Sequence, residues 1–512
     1  MSLLTLLVVI AAGFAAASVA ALYSYGRFAR IARGPESRAL AVADADTALD
    51  RFVAPLLRAH PGETGLELVD GNLEAFAFRV RMARRAGRSL DLQYYIWEHD
   101  LAGRLLLHEV LDAADRGVRV RLLLDDVYSQ SRDHVLLGLD THPNIEVRLF
   151  NPVRARRRGL RRGLELLLRV YRATRRMHNK AWIADGRVAV MGGRNIGDKY
   201  FGASKASNFR DLDAIVVGEL LDDAGRWFDT YWNSAAVVPI AALRRRRGKL
   251  RSVRRSLARF RKRAPARPYL DRVAEDESVQ ALLASAGPRH WVKDAKLVCD
   301  PPEKCDGQFA DQWLRSIVGP ILLSATQRLQ ILSAYFIPGP TGTQALLGLV
   351  ERGVSVAVLT NSLAATDVAA VHGAYARYRK RLVRGGVQLY EMKPYRRRRR
   401  VSIFGSSAAS LHTKAFVIDG HTGFVGSMNF DPRSMSLNTE MGIVFSSREL
   451  AADIEALFAG EIAPERSYRV TLDGHRLVWE DNIRTVHMEP TAGTWRRTLA
   501  LAARLLPIEA QL

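Results

Sequence analysis

The stretch MHNKAWIADGRVAVMGGRN, residues 177–195, has a counterpart in LHTKAFVIDGHTGFVGSMN, residues 411–429. His178, Lys180, Asp185, Gly192, Gly193 and Asn195 recur as His412, Lys414, Asp419, Gly426, Ser427 and Asn429, each 234 residues later. A single His-x-Lys is common on solvated strands, but a register shared over so many positions marks an internal duplication.

The repeat extends upstream. Ser89 to Trp97 parallels Leu329 to Pro338, and Ala114 to Val120 parallels Val350 to Val356. In both halves a β-rich run precedes a helical segment that ends at Arg-Gly, where Gly117 and Gly353 suit a C-cap, and a second β-rich run follows. That alternation predicts βαβ units and an α/β fold of two similar lobes, each with a mixed or parallel sheet flanked by helices. A chain of 512 residues exceeds what one core usually supports, and 48% hydrophobic content supplies two.

On a strand, positions i and i+2 share a face, so His178 pairs with Lys180 and His412 with Lys414. Two such strands facing each other place two imidazoles, two ammonium groups and the amides of Asn195 and Asn429 around one anion-sized space between the lobes. Lysines and asparagines there suit non-bridging phosphoryl oxygens. One histidine would attack phosphorus while the other protonates the leaving oxygen. The aspartates read differently: Asp185-Gly186 and Asp419-Gly420 have turn chemistry and are expected to support structure. No metal and no cofactor is expected, since the doubled set needs none and no Gly-rich nucleotide fingerprint is evident.

The two His-x-Lys-to-Asn stretches resemble the signature motifs of the phospholipase D superfamily. LDLQYYIW (residues 90–97), DRGVRVRLLLDD (115–126) and MHNK through GGRNIGDKYFG (177–202) are most similar to bacterial C-type cardiolipin synthases, from about residue 50 to the C-terminus. The resemblance implies a phosphatidyl-histidine intermediate, with His178 the nucleophile and His412 the general acid, although the spacing itself treats the two alike. It also implies a carboxylate on a catalytic imidazole. Glu440, eleven residues past Asn429, matches that position in the second half. In the first half Asp211 is preferred and Asp213 competes. Such a carboxylate would fix a ring tautomer and stabilise its cation. Gly193 stands where the second copy has Ser427, which leaves one hydroxyl for the phosphate.

The domain expectation is a transmembrane anchor at 1–26, a first lobe at 50–240, a basic interlobe linker at 241–268, a second lobe at 269–460 and a C-terminal extension at 461–512. Seventy-six Lys and Arg against 53 Asp and Glu give a net charge of +23, clustered at 154–162, 244–263 and the five arginines 396–400. Such runs seek polyanions, either anionic lipid or nucleic acid. Leu3 to Tyr23 carries no charge and is long enough to cross a bilayer of about 30 Å. This favours the anionic membrane surface over nucleic acid as partner. A cleaved signal peptide is the competing reading, given the small residues 15–21. Arg27, Arg30 and Arg33 follow the apolar run, so the positive-inside rule puts the body on the cytoplasmic side of a bacterial inner membrane. At the other end, TWRRTLALAARLLP (494–507) reads equally as an interfacial helix or as one packed on the second lobe. Cys299 and Cys305 would permit a small disulfide loop in an oxidising setting.

The functional expectation is thus a cardiolipin synthase-type phosphatidyltransferase with phospholipid substrates and a phosphatidylglycerol acceptor. A phospholipid hydrolase and a nuclease of the same fold are the alternatives.

Overall fold

The computed structural model describes residues 2–42, 46–129, 132–156, 159–244, 248–263, 265–394, 409–506 and 509–511. The basic run 396–400 lies outside them.

Each lobe is built on three parallel strands. In the first these are Ser89–Tyr94, Arg119–Asp125 and Ile145–Phe150, with helix Leu101–Asp115 as a crossover. In the second they are Arg328–Ser333, Ser355–Asn361 and Gln388–Met392, with helix Gly339–Glu351. Most residues of these strands are buried on both faces, and buried charge is paired, as Arg121 is with Asp91. Against each first strand runs, antiparallel, the hairpin encoded by the repeated motif: Ala181–Ala184 with Val188–Gly192, and Lys414–Ile418 with Thr422–Gly426. Further strands extend the sheets to nine and ten among the described residues.

The motif aspartates explain why these hairpins sit where they do. Asp185 and Gly186 have φ of 55° and 67°, and Asp419 and Gly420 of 51° and 64°. This pair of positive φ values needs Asp or Asn followed by Gly. Each carboxylate then binds the backbone ahead of its lobe's first parallel strand. Asp185 accepts N–H groups of Gly87 (3.0 Å), Arg88 (2.7 Å) and Ser89 (2.9 Å), and Asp419 those of Thr326 (2.9 Å), Gln327 (2.8 Å) and Arg328 (2.7 Å). Asp185 is fully buried. Asp185→Ala is therefore expected to lower unfolding stability by about 3 kcal/mol, and the more exposed Asp419→Ala by less. Denaturant titration of both variants checks this, and equal effects would contradict it.

The two sheets face each other across one continuous core. Ile183, Met191 and Val216 of the first lobe share it with Leu332, Val417 and Ile443 of the second, along with helices Leu220–Trp232 and Arg448–Ile462. Separate cores lie under the outer faces.

Three expected boundaries move. The stretch 241–268 is not a linker: helix Leu250–Arg261 buries Val253 and Leu257 against the first lobe, a stripe short enough to be masked by its arginines. The first lobe also continues past residue 269, since Tyr269, Val273 and Val279 join its core and strand His290–Val292 forms an edge of its sheet. The C-terminal extension is partly lobe: strand Ser467–Asp473 pairs with Gln388–Met392. Helix Thr494–Leu505 buries Ala500 and Ala503, and the Ala500 carbonyl comes so close to Gly373 that a Cβ there would meet it at 2.2 Å. Trp495, Leu501 and Leu505 on its other side are exposed. Cys299 and Cys305 are buried free thiols, not a disulfide.

Helix Leu3–Ile31 is, among the described residues, the one helix long and apolar enough to cross a membrane. Only its end packs on the body, through Tyr25 and Ala29 against Val238.

Candidate active site

Both motif histidines lie in extended chain just ahead of their hairpins, where each segment leaves its own sheet and pairs with the opposite lobe. His178 N–H donates to the Thr439 carbonyl (2.9 Å), and Thr439 N–H to that of Arg176 (2.8 Å). In mirror fashion Ala409–Leu411 runs parallel to Asn208–Arg210, and His412 N–H donates to the Arg210 carbonyl (2.7 Å). The residues following those partner strands carry carboxylates, so each imidazole meets an acid from the other half. His178 Nδ1 is 2.8 Å from Glu440 Oε2, and His412 Nδ1 is 2.5 Å from Asp211 Oδ2. The site is assembled by exchange between lobes, which one-dimensional spacing could not reveal.

Asp213 is elsewhere. It is fully buried between Arg79 (2.9 Å) and Arg194 (3.5 Å) and touches neither histidine. Asp211 lies so close to Gly193 that a Cβ there would come within 2.0 Å of its carboxylate, which is why glycine stands where the second copy has serine. Ser427 does not offer its hydroxyl to the cleft, as the sequence suggested. It donates to Glu440 Oε2 (2.5 Å) and receives Met441 N–H (3.0 Å). Glu440 also accepts Ser434 Oγ (2.9 Å), and its N–H donates to Asp300, itself ion-paired with Lys304.

Lys180 Nζ donates to the His178 carbonyl (2.6 Å); Lys414 Nζ reaches the His412 carbonyl and lies 2.9 Å from its Nδ1. The two asparagines differ. Asn195 is engaged, accepting Ile96 N–H and donating to Tyr200 Oη (2.9 Å), whereas Asn429 Oδ1 is buried with no partner among the described residues. Tyr95 stands edge-on to His178, and Tyr200 edge-on to His412. Sequence reasoning missed Tyr95, Tyr200, Asp300 and Ser434. The repeat gave no signal for Tyr95, since the strand pairing matches it with Ala334 in the second half.

Burial governs the electrostatics. It pushes His178 well below the ordinary imidazole value of 6.5, helped by Lys180 and Lys414, and lowers His412 with help from Lys414 while Asp211 pulls it back up. Burial also lowers both lysines. It raises Glu440 to about 7; against burial, His412 and Lys414 hold Asp211 below the usual carboxylate range. The dyads are therefore unequal: a neutral imidazole on a weakly acidic Glu440, and an imidazole facing an ionised Asp211. With Nδ1 tied in both, Nε2 is the atom left for chemistry, and no described protein group bonds it. Such a pair can attack an electrophile at one ring and exchange a proton at the other.

Among the described residues one other cluster has ligand-like composition: His372, Glu391 and Glu489 converge. Arg379 fills its centre, bonding Glu391 (2.8 Å) and Glu489 (2.6 Å), so a guanidinium already balances those charges.

The family description "Cardiolipin synthase, PLD-like domain" matches residues 80–232 and 320–462, once per lobe. The chain is 42% identical over 472 residues to "Cardiolipin synthase C" of Escherichia coli (strain K12), covering 89% of this chain and 98% of that relative. It is 32% identical over 437 residues to an uncharacterised protein of Helicobacter pylori (strain ATCC 700392 / 26695), covering 85% and 86%. Among solved structures, phosphatidylserine synthase of Haemophilus influenzae Rd KW20 superposes with a TM-score of 0.57 at 13% identity, over 91% of this chain and all of that one. That last likeness is one of fold.

Proposed function

Because the chain belongs to the phospholipase D-like cardiolipin synthase family, we propose that it is a membrane-anchored phosphatidyltransferase that makes cardiolipin or a close relative. The observation that carries the chemistry is the pair of cross-lobe dyads, His178 with Glu440 and His412 with Asp211.

His178, neutral and with Nδ1–H donated to Glu440, attacks phosphorus through Nε2. The bond from phosphorus to the headgroup oxygen breaks, and His412 gives its Nε2 proton to that oxygen. A phosphatidylglycerol hydroxyl then loses its proton to His412 and attacks phosphorus. The phosphorus–nitrogen bond breaks, His178 is regenerated and the new phosphodiester leaves. Lys180, Lys414 and Asn429 stabilise the charge on the non-bridging oxygens. Asn195, held by Tyr200, braces the ring next to His412. Asp185 and Asp419 take no part beyond anchoring the hairpins.

The helix Leu3–Ile31 anchors the enzyme in the inner membrane, with the body on the cytoplasmic side, where Arg27, Arg30 and Arg33 leave the span. The excess of basic charge holds it against anionic lipid.

Supplying phosphatidylglycerol to purified protein in mixed micelles tests the reaction. Cardiolipin is expected; phosphatidic acid in its place would mean that water is the acceptor, and neither product would refute a lipid substrate. A pH series tests the state of the nucleophile. Because His178 must be neutral and is depressed, the acid limb of kcat/KM is expected to have its midpoint below 6.5. Replacing Lys180 by alanine removes one of the charges that depress it, and should move the limb upward. A wild-type limb at or above 6.5 contradicts the assignment.

A further inference from the structure

Helix Leu160–Leu168 and its one-turn continuation Val170–Ala173 are reversed relative to an ordinary surface helix. Leu160, Leu164, Leu167 and Tyr171, spaced as one helical face, are 95%, 56%, 55% and 55% exposed. The polar side faces the protein: Glu165 accepts the N–H groups of Arg154 and Ala155 and pairs with Arg169, which is buried. A helix on a water-soluble surface turns its apolar stripe inward. A contiguous outward stripe marks a contact surface.

Three features identify what covers it. The guanidinium of Arg169 lies 3.3 Å from the ring centre of Tyr25 and that of Arg154 4.4 Å from Phe28, so the stripe adjoins the end of the apolar helix Leu3–Ile31. The segment leading into it, 154–162, carries six arginines, of which Arg156 is buried against Asp126 and Asp133, and the remaining basic excess suits anionic headgroups. Finally, Arg433 donates to the Thr174 carbonyl (2.8 Å) and to that of Gln511 (2.9 Å), tying this helix to the C-terminal segment, where Trp495, Leu501 and Leu505 are likewise exposed. Thr174 stands four residues ahead of His178 and Arg433 four past Asn429, so this join adjoins the catalytic cleft.

We infer that helix 160–173 lies in the headgroup–acyl boundary of the leaflet beside the spanning helix, with helix Thr494–Leu505 as a second contact, and seats the cleft mouth on that leaflet. Phospholipid then enters laterally without leaving the bilayer. The inference rests on the phospholipid reading above and adds the surface by which substrate arrives.

The test uses full-length protein in vesicles of phosphatidylglycerol and phosphatidylethanolamine, with an environment-sensitive fluorophore on Leu164→Cys, Leu167→Cys or Arg161→Cys. The native thiols are buried. Quenching by lipids spin-labelled near the headgroup is expected to be strong at positions 164 and 167 and about threefold weaker at 161. Absence of quenching at 164 and 167 would overturn the inference. In parallel, the double variant Leu164→Glu/Leu167→Glu is expected to lose about tenfold turnover on vesicle lipid, yet keep turnover on short-chain phospholipid dispersed in detergent. Equal loss on both substrates would also overturn it. Failure of the phospholipid reading has a different signature: no turnover on either substrate, with the quenching pattern intact.

Discussion

Replacing His178 by alanine is expected to reduce turnover on phospholipid by on the order of 10⁴-fold or more while the protein stays folded. The loss follows from the ring's role, since without Nε2 no covalent intermediate forms and His412 has nothing to assist. Folding survives because the partner left behind tolerates it. Glu440 is raised to about 7 by burial, so it accepts a proton when its imidazole is removed, and it keeps Ser427 and Ser434 as donors. Turnover in mixed micelles, read alongside circular dichroism and thermal melting, checks the expectation. His412→Ala should fall comparably, because the two rings serve one cycle. Substantial residual turnover in either variant would sink the two-histidine mechanism.

Asp211→Asn is expected to lower kcat by about 10⁴-fold with little change in KM, the scale seen when the carboxylate behind a catalytic histidine is neutralised elsewhere. Lys414 Nζ lies 2.9 Å from His412 Nδ1, and both burial and that ammonium disfavour the imidazolium. Asp211 is the group that offsets them. An amide in its place still fills the space beside Gly193, but it supplies no charge and can present an N–H to the ring, which favours the wrong tautomer. Asp213→Asn gives the contrast. It leaves Arg79 and Arg194 buried with a weakened counter-charge, so stability rather than the chemical step should suffer. If Asp213→Asn removed kcat at unchanged stability and Asp211→Asn did not, the geometry assigned to the first-lobe acid would be wrong.

The fold was largely legible because duplication made each half a check on the other. Periodicity, Arg-Gly helix ends and Asp-Gly turns recur at matching places, and local chemistry suffices to place hairpins and βαβ units. The motif residues were legible for the same reason. The exchange of acids was not, since contacts between residues such as His178 and Glu440 depend on how two sheets face each other, and no local pattern encodes that. Ser427 was misread because its partner Glu440 is identified by position only, not by which way it points. The linker was misread because the five apolar residues of helix Leu250–Arg261 are interleaved with as many arginines. Helix 160–173 entered the sequence reading only through the basic run 154–162, and that its leucines face outward could only come from the packed structure.

Lipid mass spectrometry of a cardiolipin-free bacterial host expressing either the wild type or His178→Ala ties cardiolipin synthesis to the two-histidine site in a single measurement. Cardiolipin is expected with the wild type and none with the variant at equal protein level. Cardiolipin from both, or phosphatidic acid rising in place of cardiolipin, would contradict it.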